Sequence, residues 1–263
     1  MTSYGNYPEI VVDIEDYIAT VEVQRGPHNF FHMGMIRTMA DAFEALQEES
    51  SVRAIVLCSE GKNFCAGAAL GENSPQASPT SDPTSGGSLY VEAVRLFRTK
   101  NPVVAAVQGS AIGGGFGLAM MADFRVASPE SRFSANFARL GFHQGFGLSV
   151  TLPDAIGQQA ALDMFYTGRR VKGEEAHRLG ICDHLVPADQ LRDKAREVAR
   201  EIAISAPLAI RSIRNTMRGE LADRVKAATD RELEEQNRLR GTADFKEGVS
   251  AMNERRVPVF QGR

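Results

Sequence analysis

The stretch PVVAAVQGSAIGGGFGLAMMADFRVA, from Pro102 to Ala127, decides how the chain is read. Pro102–Val107 is a short, almost wholly apolar run, as expected of a strand covered on both faces. Gly109 to Met121 reads as a glycine turn that opens a helix, and Phe124–Ala127 as a strand again. Strand, turn, helix and strand with short crossovers make the repeating unit of a parallel α/β core.

Working outward, the same alternation continues. Upstream, Ala54–Cys58 is a second buried strand. Met33 to Gln47 carries Ile36, Met39, Phe43 and Leu46 at helical spacing. Ile10–Ile14 and Tyr17–Val23, broken by Glu15-Asp16, predict a hairpin. Gly61 to Leu70 predicts a turn leading into a short helix, and Leu89 to Thr99 a helix. Downstream, Phe137–Leu140 and Leu148–Ile156 are short helical stretches around glycines, and His184–Val186 is a last short strand. After Pro187 the strand signals stop. Leu191, Ala195, Val198 and Ile202 form one helical stripe, and Leu221, Val225 and Ala228 another. These stripes must pack on the core or on another subunit, and the expectation is an α/β core over residues 1–190 and a helical region over 191–263 that serves assembly.

Composition excludes several classes. A length of 263 residues suits one or two domains and a sizeable core. Lys+Arg 30 against Asp+Glu 33 leaves a charge of −3, so no basic excess points to nucleic acid or an anionic membrane. Cys58, Cys65 and Cys182 form no CxxC and no paired framework, which suits a reducing cytoplasm. The polar start, Met1 to Ile10, does not read as a signal peptide, and no apolar run approaches the ~18 residues of a membrane span. The five histidines lack metal-ligand spacing, so no metal is expected. Residues 71–88 hold 13 Gly, Ser, Pro or Thr in 18 positions, too little apolar surface to offset ordering. They read as a surface insertion or as a flap beside a binding site.

Two glycine-bearing turns each follow a buried strand: Phe64-Cys65-Ala66-Gly67-Ala68-Ala69-Leu70 and Gly113-Gly114-Gly115. Small residues let a ligand approach the backbone, and a helix N-terminus offers free N–H groups and a positive dipole end. Two such N–H groups converging on one point would hold a developing oxyanion. Gly113 to Gly117 lacks the dinucleotide spacing G-x-G-x-x-G, and no Lys-Ser/Thr follows to make a P-loop.

Together these segments resemble the crotonase (enoyl-CoA hydratase/isomerase) superfamily. Val104 to Gly109, Gly113 to Gly115 and Ala119 to Phe124 look like its signature, and Phe64 to Ala68 like its first oxyanion turn. Arg25-Gly26-Pro27-His28-Asn29, Ala176 to Asp183, and Phe245 to Gly248 with Arg255-Arg256, Pro258 and Phe260 resemble three further family segments. The resemblance implies a spiral of ββα units with a helical C-terminal region, assembled as a homotrimer or a hexamer of two trimers. It implies an acyl-CoA thioester as substrate, with no cofactor beyond its coenzyme A. It places the oxyanion hole at the N–H groups of Ala68 and Gly114. It places Arg25, His28, Ala66 and Leu70 along the coenzyme A channel, and Met252 and Arg255 on the helix that touches coenzyme A.

The chain departs from the family at two positions. Where the resemblance expects the hydratase glutamates, this chain has Gly117 and Phe137, both expected at the acyl pocket. Neither can move a proton, and hydration needs both a base and an acid. His143, in the loop from Gly141 to Gly147, is the first candidate to substitute; Tyr90 and Glu92 are further ones. Asp123 reads as structural, Asp154 as a helix N-cap, and Cys65 as small-residue filler. Two functions fit: an enzyme that stabilises a thioester enolate with a non-standard acid/base, or a non-catalytic acyl-CoA-binding protein.

Overall fold

The structure, a computed structural model, describes residues 4–68 and 88–263. Leu70 and the Gly/Ser/Pro-rich stretch up to residue 87 lie outside the described residues. β1 (Ile10–Glu15) and β2 (Ile18–Val23) form the expected antiparallel hairpin, with Ile10 opposite Val23. α1 (Met33–Glu48) buries Ile36, Met39, Phe43 and Leu46, its predicted stripe. β3 (Ala54–Ser59) follows, then α2 (Leu89–Phe97), started by the Ser88 side chain, which accepts from the Val91 N–H. β4 (Val103–Val107), β5 (Ser110–Ile112), α3 (Gly114–Met121) and β6 (Phe124–Ala127) make up the deciding stretch. Next come β7 (Arg132–Ser134), a 3-10 turn at Ala138–Leu140, α4 (Leu148–Ile156) and α5 (Gln158–Thr167). β8 (Val171–Lys172), α6 (Gly173–Leu179) and β9 (His184–Leu185) complete the alternating part.

Six strands form one sheet in the order β1-β2-β3-β4-β6-β9, parallel apart from the hairpin. β5, β7 and β8 form a second, small sheet in which β5 and β7 run parallel and β8 antiparallel. Sequence reading took Ser110–Ile112 as part of a glycine turn. It is a strand because its partner, Arg132–Ser134, supplies the ladder from another part of the chain.

The large sheet is covered on both faces, which explains its continuous apolar strands. Val103, Ala105 and Val107 face the main core with α1, α2 and α3. Val104 and Ala106 face the other side, where α7 (Leu191–Ala203) lays down Leu191, Ala195 and Val198. The stripe at 191–202 therefore seals this chain's own sheet rather than an assembly surface. α9 (Leu221–Arg240) likewise buries Ala222 and Val225 in the main core, packed on α2 and α4. α10 (Ala243–Glu254) packs on the 3-10 turn. Residues 191–263 are thus largely the cover of the core.

α8 (Pro207–Arg218), between α7 and α9, differs. It has no buried residue, and Leu208 and Met217 are 80% and 77% exposed. Three arginines hold it: Arg211 on the Asn101 side chain, and Arg214 and Arg218 on Asp123. Asp123 also accepts from the Val103 N–H at 2.8 Å, the structural part expected of it. No described helix is long and apolar enough to cross a membrane.

Candidate active site

The two glycine turns meet at one place. Cys65 N–H donates to the Ser110 carbonyl and Ile112 N–H to the Cys65 carbonyl, both at 3.0 Å, so residues 64–68 run beside β5. Gly67 has φ +89°, and a Cβ there would lie 2.8 Å from the Ile112 carbonyl oxygen and 3.8 Å from the Gly114 nitrogen. Only glycine permits that approach. On its other side the turn is held by Phe31 N–H to the Gly67 carbonyl and Ala66 N–H to the His28 carbonyl. The N–H groups of Ala68 and Gly114 have no hydrogen-bond partner among the described residues. Gly114 is the first residue of α3, where the helix itself supplies none and its dipole is positive.

Both residues line a cavity of about 470 Å³. Its backbone side comprises Ala66, Gly67, Ala68, Gly113 and Gly114, and its walls include Phe30, Phe31, Phe137, Phe142 and Phe146. Its polar lining residues include Asn136, Tyr90, Gln236, Arg170 and Arg240. No Asp, Glu or His lines it among the described residues.

The aromatic wall accounts for the two departures. A Cβ on Gly117 would stand 2.6 Å from the Phe146 Cβ, so Phe146 occupies the room a longer side chain would need. Gly117 therefore packs in α3 without reaching the cavity. Phe137 does line it and is 8% exposed, an apolar surface where the resemblance expects a carboxylate.

A buried polar network backs one wall. Tyr90 Oη lies 2.7 Å from Gln236 Oε1. Gln236 Nε2 donates to the carbonyls of His143 and Gln144 at 2.9 and 3.3 Å, which fixes the amide so that Oε1 accepts from the phenol. Burial pushes the Tyr90 phenol well above its ordinary range, so it is protonated at neutral pH. Four residues before Gln236 on α9, Glu232 accepts from Gly147 N–H at 3.0 Å and Ser149 N–H at 3.1 Å. It caps the N-terminus of α4 and holds the loop that carries Phe142 and Phe146. Burial raises the Glu232 carboxyl against the pull of these hydrogen bonds.

The remaining expected residues are distributed as follows. His143 is half-buried with Nδ1 2.8 Å from the Gln144 carbonyl, beside the network but not on the cavity wall. Glu92 is tied to Arg37 and Arg95, away from the cavity. Arg25 is engaged by Glu9 and the Phe30 carbonyl, and His28 is exposed with Nδ1 on Asn63. Neither lines the cavity, although their loop adjoins it through Phe30 and Phe31. Met252 lines it. Arg255 lines a neighbouring cavity instead, of about 920 Å³, which shares Met252 and Arg170 with the first. Burial pushes the Cys65 thiol up to about 12, which suits filler rather than a nucleophile. Asp154 lies inside α4, after Pro153, and pairs with Arg224, so it caps no helix. Gln236 and Arg240 were missed by the sequence reading. Their signal was a polar line at spacing four, Glu232, Gln236 and Arg240, on one face of α9.

Comparison with known proteins agrees with this architecture. The family model "Enoyl-CoA hydratase/isomerase" matches residues 13–263. A carnitinyl-CoA dehydratase of Proteus mirabilis is 31% identical over 268 residues, covering 100% of this chain and 98% of the relative. One from Salmonella enteritidis is 33% identical over 230 residues, 86% of this chain and 87% of the relative. The solved enoyl-CoA hydratase/isomerase of Pseudoalteromonas atlantica superposes with a TM-score of 0.87 at 27% identity, covering 96% of this chain and all of that one. A carnitinyl-CoA dehydratase structure from Mycobacterium avium gives 0.82 at 26% identity, covering 97% of this chain and all of that one. On its sequence, its sheet order and its paired glycine turns, the chain belongs to the enoyl-CoA hydratase/isomerase (crotonase) family.

Proposed function

We propose that this acyl-CoA-processing protein seats a thioester carbonyl between the N–H groups of Ala68 and Gly114 and turns the substrate over through an enolate. The observation that carries this reading is the pair of N–H groups, without a partner among the described residues, on two apposed turns at the rim of one cavity. Donors set in advance where charge develops are each worth about 2.7–4 kcal/mol to the transition state. Tyr90, held in its acid form by burial with its proton resting on Gln236 Oε1, returns a proton to the enolate carbon once it turns off that bond. Water admitted to the cavity takes the α-proton, since no carboxylate or imidazole lines it among the described residues. His143 keeps a supporting part, because its carbonyl orients Gln236 and so the phenol. Met252 contacts the substrate, and Arg255 in the neighbouring cavity faces a coenzyme A phosphate.

The dehydratase relatives make loss of water from a hydroxyacyl-CoA the first reaction to try. The broader test is α-proton exchange into deuterated water over a panel of acyl-CoA thioesters. The reading expects exchange with at least one of them. Absence of exchange across the panel overturns it. That outcome, with binding intact, would favour the second reading, a carrier without chemistry, which the lack of a lining carboxylate or imidazole among the described residues supports.

The proposal extends to assembly. Ile204, Leu208, Ile213 and Met217 stand 59–80% exposed along the α7–α8 junction and α8, a surface that further copies of the chain would cover. Light scattering should report a trimer or a hexamer; a clean monomer contradicts this.

A further inference from the structure

Arg240 presents an unusual balance of burial and charge. It leaves the last turn of α9 and is half-buried, and its guanidinium carbon lies 4.9 Å from the Phe142 ring centre. Its Nε is buried with no hydrogen-bond partner, and no carboxylate pairs with it among the described residues. Several arginines of the chain are paired instead, Arg95 with Asp41, Glu44 and Glu92, and Arg214 and Arg218 with Asp123. Arg53, whose Nε is also buried without a partner among the described residues, gives Nη1 to the Ala203 carbonyl and lies over Tyr17 away from the cavity. Holding a guanidinium partly out of water without an anion is costly, and that cost is offset when an anion arrives. Arg240 lines the cavity that holds Ala68, Gly114 and Tyr90, and so does the exposed Arg170, which has no carboxylate partner among the described residues.

The cavity walls thus combine an aromatic lining with two cations and no described anion. A neutral acyl chain would leave Arg240 uncompensated, and a cationic one would be repelled. We propose that the acyl group handled here carries a second, distal carboxylate, taken by the Arg240 guanidinium with Arg170 as the further cation of the same cavity. A planar fork facing a carboxylate supports two parallel charge-assisted hydrogen bonds, and the Phe142 ring lies against the guanidinium. This inference rests on the acyl-CoA reading and sharpens it to a substrate class, a dicarboxylic acyl-CoA. It also sets the chain apart from its carnitinyl-CoA relatives, since carnitine bears a quaternary ammonium group.

The test is calorimetric binding of a matched series: glutaryl-CoA, 5-methylhexanoyl-CoA, 4-(trimethylammonio)butanoyl-CoA and free coenzyme A. The first three share chain length and differ in the end group: anionic, neutral or cationic. Glutaryl-CoA should bind at least about tenfold more tightly than the neutral analogue, and the cationic one should bind worst. In Arg240→Met the glutaryl preference should fall to within about threefold, and Arg170→Met should reduce it part of the way. Equal affinities in the wild-type protein, or a preference for the cation, overturn the proposal without needing any variant. If Arg240→Met weakens free coenzyme A as much as glutaryl-CoA, the guanidinium serves the nucleotide phosphates and the acyl assignment is wrong. If none of the thioesters binds, the acyl-CoA reading itself fails. Binding of the neutral analogue without a glutaryl preference sinks only this inference.

Discussion

One side of the cavity is backbone and the other is side chain, and the two sides relate to the family differently. The backbone side, Ala66 to Ala68 and Gly113 to Gly114, keeps the paired turns that the family resemblance implies. The side-chain side replaces the expected carboxylates with Phe137 and the space taken by Phe146, and brings in Tyr90, Gln236 and Arg240. A turn that presents N–H groups depends on local backbone geometry, so small residues at a few adjacent positions secure it. A proton-handling group needs only to reach the substrate, and helices far apart in sequence can deliver it. On the proposed function, the contrast means that carbonyl activation stays with the backbone turns while acid/base chemistry passes to the side-chain wall.

The strongest challenge to that division is Tyr90→Phe. It should lower the exchange or turnover rate by about 10²–10⁴-fold while KM changes little, because an acid acts in the transition state. A KM effect alone would place Tyr90 in binding. Ala68→Pro attacks the other side. It removes one N–H and should cost about 10²–10³-fold in kcat, with circular dichroism unchanged. Gly117→Glu asks whether the lost carboxylate can be restored. Because Phe146 fills the space, the variant should lose about 1–3 kcal/mol of stability in thermal melts and gain no hydration. Active hydration by this variant would break the comparison.

The smallest effect concerns Glu232, which holds the aromatic loop. Its carboxyl is raised by burial above the ordinary value of 4.5. A raised carboxyl binds its proton more readily in the folded state, so it adds stability below 4.5 that is lost as pH rises through its folded value. Glu232→Gln lacks that term and leaves one of the two N–H groups, Gly147 or Ser149, facing an amide NH₂. The melting-temperature gap between wild type and variant should widen as pH falls from 7 towards 4.5. A constant gap would remove the titration of Glu232 from the account.

Much of the architecture was legible in the sequence because periodicity spans whole elements. The stripe of α1, the hairpin and the strand–helix–strand run from Pro102 all stand where spacing puts them. The second sheet was not legible. β5, β7 and β8 are two or three residues long, too short to show a period, and their partners are distant in sequence. The sequence left the stripe at 191–202 open between this chain's core and another copy, because burial against either leaves the same pattern; it covers its own sheet. In the cavity, Ala68 and Gly114 were readable from glycines. Gln236 and Arg240 lie 146 and 150 residues beyond Tyr90 on a helix whose polar face looks solvated until its packing is known.

The most direct test of the division is isotope-edited infrared spectroscopy of a bound acyl-CoA labelled with ¹³C at the thioester carbonyl, in the wild-type protein and in Tyr90→Phe. The account predicts a carbonyl stretch shifted well below that of the free thioester in water, by the same amount in both proteins, because Ala68 and Gly114 grip the oxygen whether or not the phenol is present. A bound carbonyl that absorbs like the free thioester, or a shift that disappears with the Tyr90 hydroxyl, would contradict it.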